Sequence, residues 1–193
     1  MSDQPSGVVP ADPVLYAVLR SAVEATGAAD GWIAALDDGA DQLVVVAAEG
    51  PRGRRLLGVT VGEHEGFSGY VVGSAQPLAI EPAADDPRLD EGIAARLDRR
   101  PRSVLCVPCE DDDIVLAAIE LVDKDGGGFT FDDLELVAVL ADVAGVALRL
   151  GAGGASLLPT PAELGALLEG LAGSDPVRYA RVAELVAMLV RRE

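Results

Sequence analysis

Two pairs of short apolar runs, each joined by a brief acidic turn, constrain the fold more than any other feature of this sequence. Residues 31–36 and 42–49 flank the turn DDGAD, and residues 103–110 and 114–123 flank a turn of three aspartates. Apolar runs of this length bounded by turn residues predict β-strands, and a short connection makes two consecutive strands antiparallel. The chain is therefore expected to contain an antiparallel sheet built from hairpins.

Helical patterns stand on both sides of these strands. Apolar residues at helical spacing predict a helix over Pro13–Thr26, which Gly27 terminates. A capping box formed by Thr130 and Asp133 predicts the start of a second helix, which runs to about residue 150. Shorter elements are predicted between them: a helix over 66–75, a turn that enters another helix over 87–97, and strands over 56–61 and 77–80. The expected fold class is α+β, an antiparallel β-sheet layered with helices.

The order of these patterns divides the chain into four parts. We expect a flexible leader over 1–12, one domain over 13–150, a Gly-rich linker over 151–160 and a helical tail over 161–193. An apolar stripe marks the last helix of this C-terminal extension: Val182, Leu185, Val186 and Leu189. The stripe is suited to a partner-binding surface, and equally to docking on the domain itself.

The charge of the chain excludes several classes of partner. The formal net charge is -17, and such a field repels nucleic acids and anionic lipids. Two arginine-rich segments are exceptions: Arg52, Arg54 and Arg55, and Arg96, Arg99, Arg100 and Arg102. Each segment could be interpreted as solvated loop arginines or as a small anion site. No apolar run is long enough to cross a bilayer, and two cysteines are too few for a disulfide scaffold. These features predict a cytoplasmic protein that binds neither nucleic acid nor membrane.

A series of short motifs in the middle of the chain resembles one known family. In order, they are Gly66 and Gly69 before a helix, then Gln76, Pro77 and Ile80, then Asp86, Pro87 and Arg88, and finally Ser103 and Pro108. Their order and spacing are similar to those of the GAF domain, a sensory module of signalling proteins. The resemblance covers about residues 14–150 and implies the GAF arrangement of sheet and helices.

The resemblance also implies a ligand pocket between the sheet and the neighbouring helices. Its lining would include six residues: Phe67, Ser68, Tyr70, Asp86, Arg88 and Glu120. Glu120 lies in an otherwise apolar run, so a solvated sheet face is the alternative position for it. Cyclic-nucleotide-binding members carry an Asn-Lys…Phe…Asp-Glu signature, from which this chain departs at two positions, Asp123 and Leu134. The resemblance implies instead a structural pair between Lys124 and Asp133.

The residues suited to catalysis or metal binding are few. Cys106 and Cys109 lie three positions apart in a predicted strand, so they face opposite sides of the sheet. We expect Cys106 to be buried and Cys109, at the strand end, to be exposed and oxidisable. A zinc site needs two more ligands, and the one histidine, His64, is expected in a solvated acidic loop. We therefore predict no metal and no cofactor.

The residues and the resemblance together favour a non-enzymatic regulatory protein built on one GAF domain. It would act through protein–protein interaction, with a signalling protein or output domain in trans, and a homodimer through helices 13–26 and 132–150 is one expected assembly. The alternative is a sensor that binds a small molecule in the GAF pocket. A second alternative is a thiol redox enzyme, because free methionine sulfoxide reductases resemble GAF domains.

Overall fold

The computed structural model describes residues 12–37, 40–152 and 172–173, and the chain divides into two compact units, Met1–Arg149 and Leu150–Glu193. The first unit contains the elements discussed below, except for the last three residues of the final helix. The predicted leader before residue 12, the linker from residue 153 and the tail residues Val182, Leu185, Val186 and Leu189 lie outside the described residues.

The described part of the chain contains a six-stranded sheet, four α-helices and one 3-10 helix. In chain order they are α1 (Pro13–Thr26), β1 (Ala28–Leu36), β2 (Gln42–Glu49), the 3-10 helix (Gly53–Leu56), β3 (Thr60–Gly62), α2 (Gly66–Ser74), β4 (Leu78–Ile80), α3 (Glu91–Arg96), β5 (Val104–Asp111), β6 (Ile114–Lys124) and α4 (Phe131–Ala152). The strand order is β3-β2-β1-β6-β5-β4, and every pair is antiparallel. The α+β fold class predicted from the sequence is confirmed. None of the described helices has the length and apolar character needed to cross a membrane.

Local signals explain the bounds of α1. The carboxylate of Asp12 accepts a hydrogen bond from the backbone N–H of Val14, and Pro13 occupies the first helical position. Gly27 ends the helix with a φ of 70°, a left-handed conformation that costs glycine little. The bounds predicted from the sequence are confirmed.

Both predicted hairpins are present, with small differences at their ends. The first strand begins at Ala28, earlier than predicted, because it continues to pair with β6 as far as Lys124. In the second hairpin, Asp112 and Asp113 form the turn with φ values of 51° and 62°, which aspartate tolerates better than most residues. Asp111 belongs to β5 instead of the turn.

The third predicted strand, over 56–61, was wrong in position. Residues Gly53–Leu56 form the 3-10 helix, and the strand begins only at Thr60. The cause lies far away in sequence: the Oδ1 atom of Asp30 accepts hydrogen bonds from the backbone N–H groups of Arg52 and Gly53, at 2.7 and 2.8 Å. This buried carboxylate fixes a helical turn just before the predicted strand, and the turn includes its first residue, Leu56.

The sheet separates two hydrophobic cores. On one face α1 and α4 pack on the sheet, and this core includes Leu19, Ala22, Ile33, Ile119, Leu121, Val137, Ala141 and Ala144. On the other face α2 and α3 pack on the sheet, and this core includes Trp32, Val45, Phe67, Val71, Ile93, Val104, Cys106 and Val122. Side chains alternate between the two faces along a strand, so consecutive residues within β5, and within β6, lie in different cores.

The predicted capping box opens α4. The backbone N–H of Thr130 donates to Oδ2 of Asp133 at 2.7 Å, and the backbone N–H of Asp133 donates to the Thr130 hydroxyl at 3.3 Å. These reciprocal bonds satisfy donors that the first turn of a helix leaves free. The helix then continues past the predicted end to Ala152.

Candidate functional site

The six residues predicted to line a pocket divide into separate groups in the structure. Ser68 and Tyr70 both lie on α2, but two helical positions are about 200° apart around the axis. Ser68 therefore faces the sheet and is buried, whereas Tyr70 faces outward and is exposed. Phe67 lies in the core between α2 and the sheet.

A buried polar pair lies between α2 and β6. The Ser68 hydroxyl donates a 2.6 Å hydrogen bond to Oε2 of Glu120, and each residue is only 4% exposed. In the sheet, Glu120 stands directly opposite Trp32 of β1 and Cys106 of β5, both of which are buried. The solvated sheet face that was the alternative for Glu120 is therefore wrong, because α2 covers this position.

This environment changes the acidity of Glu120. Burial, which disfavours the charged form, raises the pKa of Glu120 from 4.5 to about 7. Hydrogen bonds from the side chain and backbone of Ser68 oppose that rise, and the charge of Asp90 adds to it. The carboxyl group thus changes protonation near neutral pH, and as a carboxylate it would favour a cationic group beside it.

The remaining predicted pocket residues form a cluster at the surface. The Nε and Nη2 atoms of Arg88 donate to the two carboxylate oxygens of Asp86 at 2.9 and 2.8 Å. The Arg88 guanidinium also stacks on Tyr70, 4.7 Å from the ring centroid. The hydrogen bond from Arg88 is the largest influence on the pKa of Asp86 and lowers it. Asp86 occupies the Nε/Nη2 edge of the guanidinium, so an anionic ligand that uses this edge of Arg88 would have to displace it.

The two cysteines lie on opposite faces of β5, as their spacing predicted, but the exposure predicted for Cys109 was wrong. Cys109 is fully buried in the core under α1 and α4, and Cys106 is fully buried in the other core. Burial raises the pKa of both thiols above their usual value. Raised thiol pKa values disfavour the reactive thiolate at neutral pH.

Neither the histidine nor the arginine-rich segments form a binding site by themselves. His64 is exposed, as predicted. Five of the seven arginines in the two segments form ion pairs with acidic side chains: Arg54–Glu49, Arg55–Asp98, Arg99–Asp123, Arg100–Glu91 and Arg102–Asp123. Across the described ranges, no cluster of histidine, cysteine and acidic side chains is arranged to hold a metal ion.

Comparison with known proteins identifies the family. The sequence profile of the GAF domain matches residues 10–148. The chain belongs to the GAF domain family.

Individual relatives are distant from this GAF domain. A probable 3',5'-cyclic phosphodiesterase, pde-5 of Caenorhabditis elegans, is 29% identical over 85 residues, which are 44% of this chain and 12% of the relative. The chain therefore spans about an eighth of the length of that relative. Among solved structures, the GAF-B domain of DevS from Mycobacterium smegmatis superposes with a TM-score of 0.58 at 22% identity, covering 73% of this chain and 94% of that one. Free methionine-R-sulfoxide reductase from Neisseria meningitidis, in complex with its substrate, gives a TM-score of 0.60 at 17% identity, covering 76% and 83%.

The predicted pair of Lys124 and Asp133 forms a small network in this GAF domain. The Lys124 ammonium group donates to Oδ2 of Asp133, which also accepts from the backbone and hydroxyl of Thr130. Although burial raises the pKa of Asp133, the hydrogen bonds from Lys124 and Thr130 prevail and lower it. The network ties the end of β6 to the start of α4, so its position gives it a structural role.

The outer face of α4 carries a feature that sequence analysis did not single out. Four apolar side chains on this face are 41 to 63% exposed: Leu136, Val139, Val143 and Val146. We call these four residues the outer stripe. Their spacing of three, four and three residues places them in one line on the solvent-exposed side of α4. The spacing of these residues is visible in the sequence. The inner face of α4 shows an equally regular apolar spacing, so the sequence does not indicate which face is exposed.

A shallow groove of about 300 Å³ lies elsewhere on the surface, between α1, β2 and the 3-10 helix. Its lining comprises Tyr16, Ala48, Glu49, Arg54 and Leu57. The Arg54–Glu49 ion pair, with a 2.6 Å contact, occupies the polar part of this lining. The two charges therefore already satisfy each other, and the groove presents no unpaired charge to a ligand.

Proposed function

We propose that this GAF domain is a regulatory module without catalytic activity, and that it acts through protein–protein contact at the outer stripe of α4. The observation that carries the proposal is the stripe itself. Apolar side chains exposed in a line with heptad spacing are suited to pairing with a second helix. A helix that needed only to cover its own sheet would be polar on this face.

The burial of both thiols supports a non-catalytic role. Cys106 and Cys109 lie in different cores, so they are separated by the sheet and shielded from solvent. A thiol redox reaction requires an accessible thiolate, and burial opposes both accessibility and ionisation. Free, buried thiols also suit a reducing compartment, so the proposal places the protein in the cytoplasm. The output would come from a separate signalling protein or domain in trans.

Photo-crosslinking tests contact at the stripe. A benzoylphenylalanine in place of Val139, the most exposed of the four residues, would report any protein that lies against α4 in the native host. The same residue in place of Asp85, an exposed position outside α4, serves as the control. We expect a covalent protein adduct of defined mass from position 139 alone. Absence of an adduct at 139, or identical adducts at both positions, would refute the proposal.

A second candidate function is small-molecule sensing at the Ser68–Glu120 pair. The observation in its favour is a carboxyl group buried in an apolar core with a pKa of about 7. A ligand with a cationic or hydrogen-bond-donating group would stabilise the ionised form of Glu120. Native mass spectrometry of protein purified from its host tests this idea. A retained small mass that Glu120→Gln abolishes supports sensing, whereas a bare protein or an unchanged adduct opposes it.

A further inference from the structure

We propose that the partner of the outer stripe is a helix of another protein, with its own apolar stripe flanked by lysine or arginine side chains. The inference rests on the proposed function and names the chemistry of the partner. The alternative partner is a second copy of the chain. The charges beside the stripe favour a helix of another protein over that second copy.

The geometry of the stripe fits a paired helix. Leu136 and Val143 are one heptad apart, as are Val139 and Val146, so the four residues occupy the two core positions of two heptads. Such a seam accepts a partner helix whose apolar residues repeat with the same spacing. The side chains are medium-sized and mostly β-branched, which gives the seam a well-defined shape.

Exposed carboxylates border this seam on one flank and at its N-terminal end. Glu135 and Asp142 lie one heptad apart along one flank, and Asp132 continues the line of the stripe toward the start of α4. All three are exposed, and none forms an ion pair with any residue in the described part of the chain. Arg149 occupies the next position on the flank, but it pairs with Asp111 and is half-buried there. The flank therefore presents uncompensated negative charge.

A second copy of the chain compensates this charge poorly in either orientation. In an antiparallel pair the two flanks face each other, so Glu135 and Asp142 meet the same acids of the other copy. In a parallel pair they meet the opposite flank, whose corresponding residues are the apolar Leu140 and Ala147. Each copy also carries a net charge of -17, which opposes association at low ionic strength.

Charge complementarity selects a basic partner helix instead. Lysine or arginine at the positions that face Glu135 and Asp142 would form interhelical ion pairs of the kind that set partner choice in coiled coils. The acidic field of the whole domain would attract such a helix from a distance. The same negative field repels an anionic lipid surface. Binding to such a surface would require a basic amphipathic helix on this domain.

Synthetic helices provide the test. We would prepare two fluorescent peptides of three heptads with identical leucine and valine seams, one with lysine at both flanking positions and one with glutamate. Fluorescence anisotropy with the full chain would measure their affinities at about 50 and about 500 mM NaCl. We expect the lysine peptide to bind at least about ten-fold more tightly at low salt, since two ion pairs replace two like-charge contacts. The ratio should fall toward one at high salt.

Three variants identify the source of the preference. Val139→Asp should abolish binding of both peptides while leaving the urea midpoint unchanged, because its side chain is largely exposed. The double variant Glu135→Lys with Asp142→Lys should reverse the preference in favour of the glutamate peptide. The double variant Asp41→Lys with Asp85→Lys makes the same change of net charge at exposed sites outside α4, and should leave the lysine peptide preferred.

The outcomes separate the inference from the proposed function. Equal binding of both peptides, lost in Val139→Asp, would overturn the basic partner and keep contact at the stripe. A preference that survives charge reversal beside the stripe would also overturn it. Concentration-dependent dimerisation that Val139→Asp abolishes, with no binding of either peptide, would assign the stripe to a second copy. A monomer that binds neither peptide would refute both the inference and the proposed contact.

Discussion

Replacing Glu120 with glutamine will change how the stability of this protein depends on pH. Glutamine keeps the size of the side chain, and its carbonyl oxygen can still accept the hydrogen bond from the Ser68 hydroxyl. What it removes is a carboxyl group whose pKa is about 7 in the folded protein and near 4.5 when unfolded. The variant therefore isolates the cost of ionising this one buried group.

The sign and size of the effect follow from proton linkage. Below pH 4.5 the carboxyl is protonated in both states, so the wild type has no ionisation penalty. Between pH 4.5 and 7 the unfolded chain ionises while the folded protein keeps its proton, which destabilises the wild type by about 1.4 kcal/mol per pH unit. Above pH 7 both states are ionised and the penalty is constant. From pH 5 to 8.5 Glu120→Gln should gain about 2–3 kcal/mol relative to the wild type.

Urea unfolding followed by the fluorescence of Trp32 measures this difference directly. Trp32 is the one tryptophan of the chain, is buried, and stands opposite Glu120 in the sheet. Subtracting the two free energies at each pH cancels the titration of all other groups. Ser68→Ala, which removes a hydrogen bond that favours the ionised form, should move the upper end of the transition to higher pH. A difference between Glu120→Gln and wild type that stays constant from pH 5 to 8.5 would refute the reasoning.

Three further predictions concern packing, the capping network and the thiols. Gly145→Ala should lower the free energy of unfolding by about 2–3 kcal/mol, because the new methyl group would lie 2.6 Å from a backbone carbonyl carbon of β5. Gly151→Ala is the control, since it adds a methyl group in open space on the same helix. It should not lower the free energy of unfolding in the same urea titration. Lys124→Met should cost about 1–2 kcal/mol at pH 7. That loss should shrink as the pH falls below 3.8, where the lysine's carboxylate partner takes up a proton, and a pH-independent loss would contradict the ion pair. Cys106 and Cys109 should react with a thiol reagent only after unfolding, so rapid labelling of native protein would disprove their burial.

The sequence was informative wherever the determining interactions are local. The bounds of α1 depend on Asp12, Pro13 and Gly27, all of which adjoin the helix, and they were predicted correctly. The hairpin of β5 and β6 likewise depends on its own turn. The 3-10 helix was missed because its N-terminus is held by Asp30, a residue of a different element.

The candidate site was harder to predict for the same physical reason. The alternation of β6 showed that Glu120 was unusual, but only the packing of α2 decided that it is buried. The exposure of Cys109 depended on where α4 crosses the sheet, which no pattern near residue 109 encodes. The outer stripe was obscured because both faces of α4 are apolar, and periodicity alone does not say which face meets the sheet.

The alternation of β6 also bears on the distance a signal must travel in this domain. Glu120 faces α2, while its neighbours Ile119 and Leu121 face the opposite way, into the core that α4 covers. A ligand or proton that displaced the backbone at Glu120 would therefore move side chains in the core beneath α4, on the far side of the sheet from the event. The Ser68–Glu120 pair and the core beneath α4 are separated by the thickness of a single strand, so a displacement of this strand would reach α4 without a hinge or an extended relay of residues.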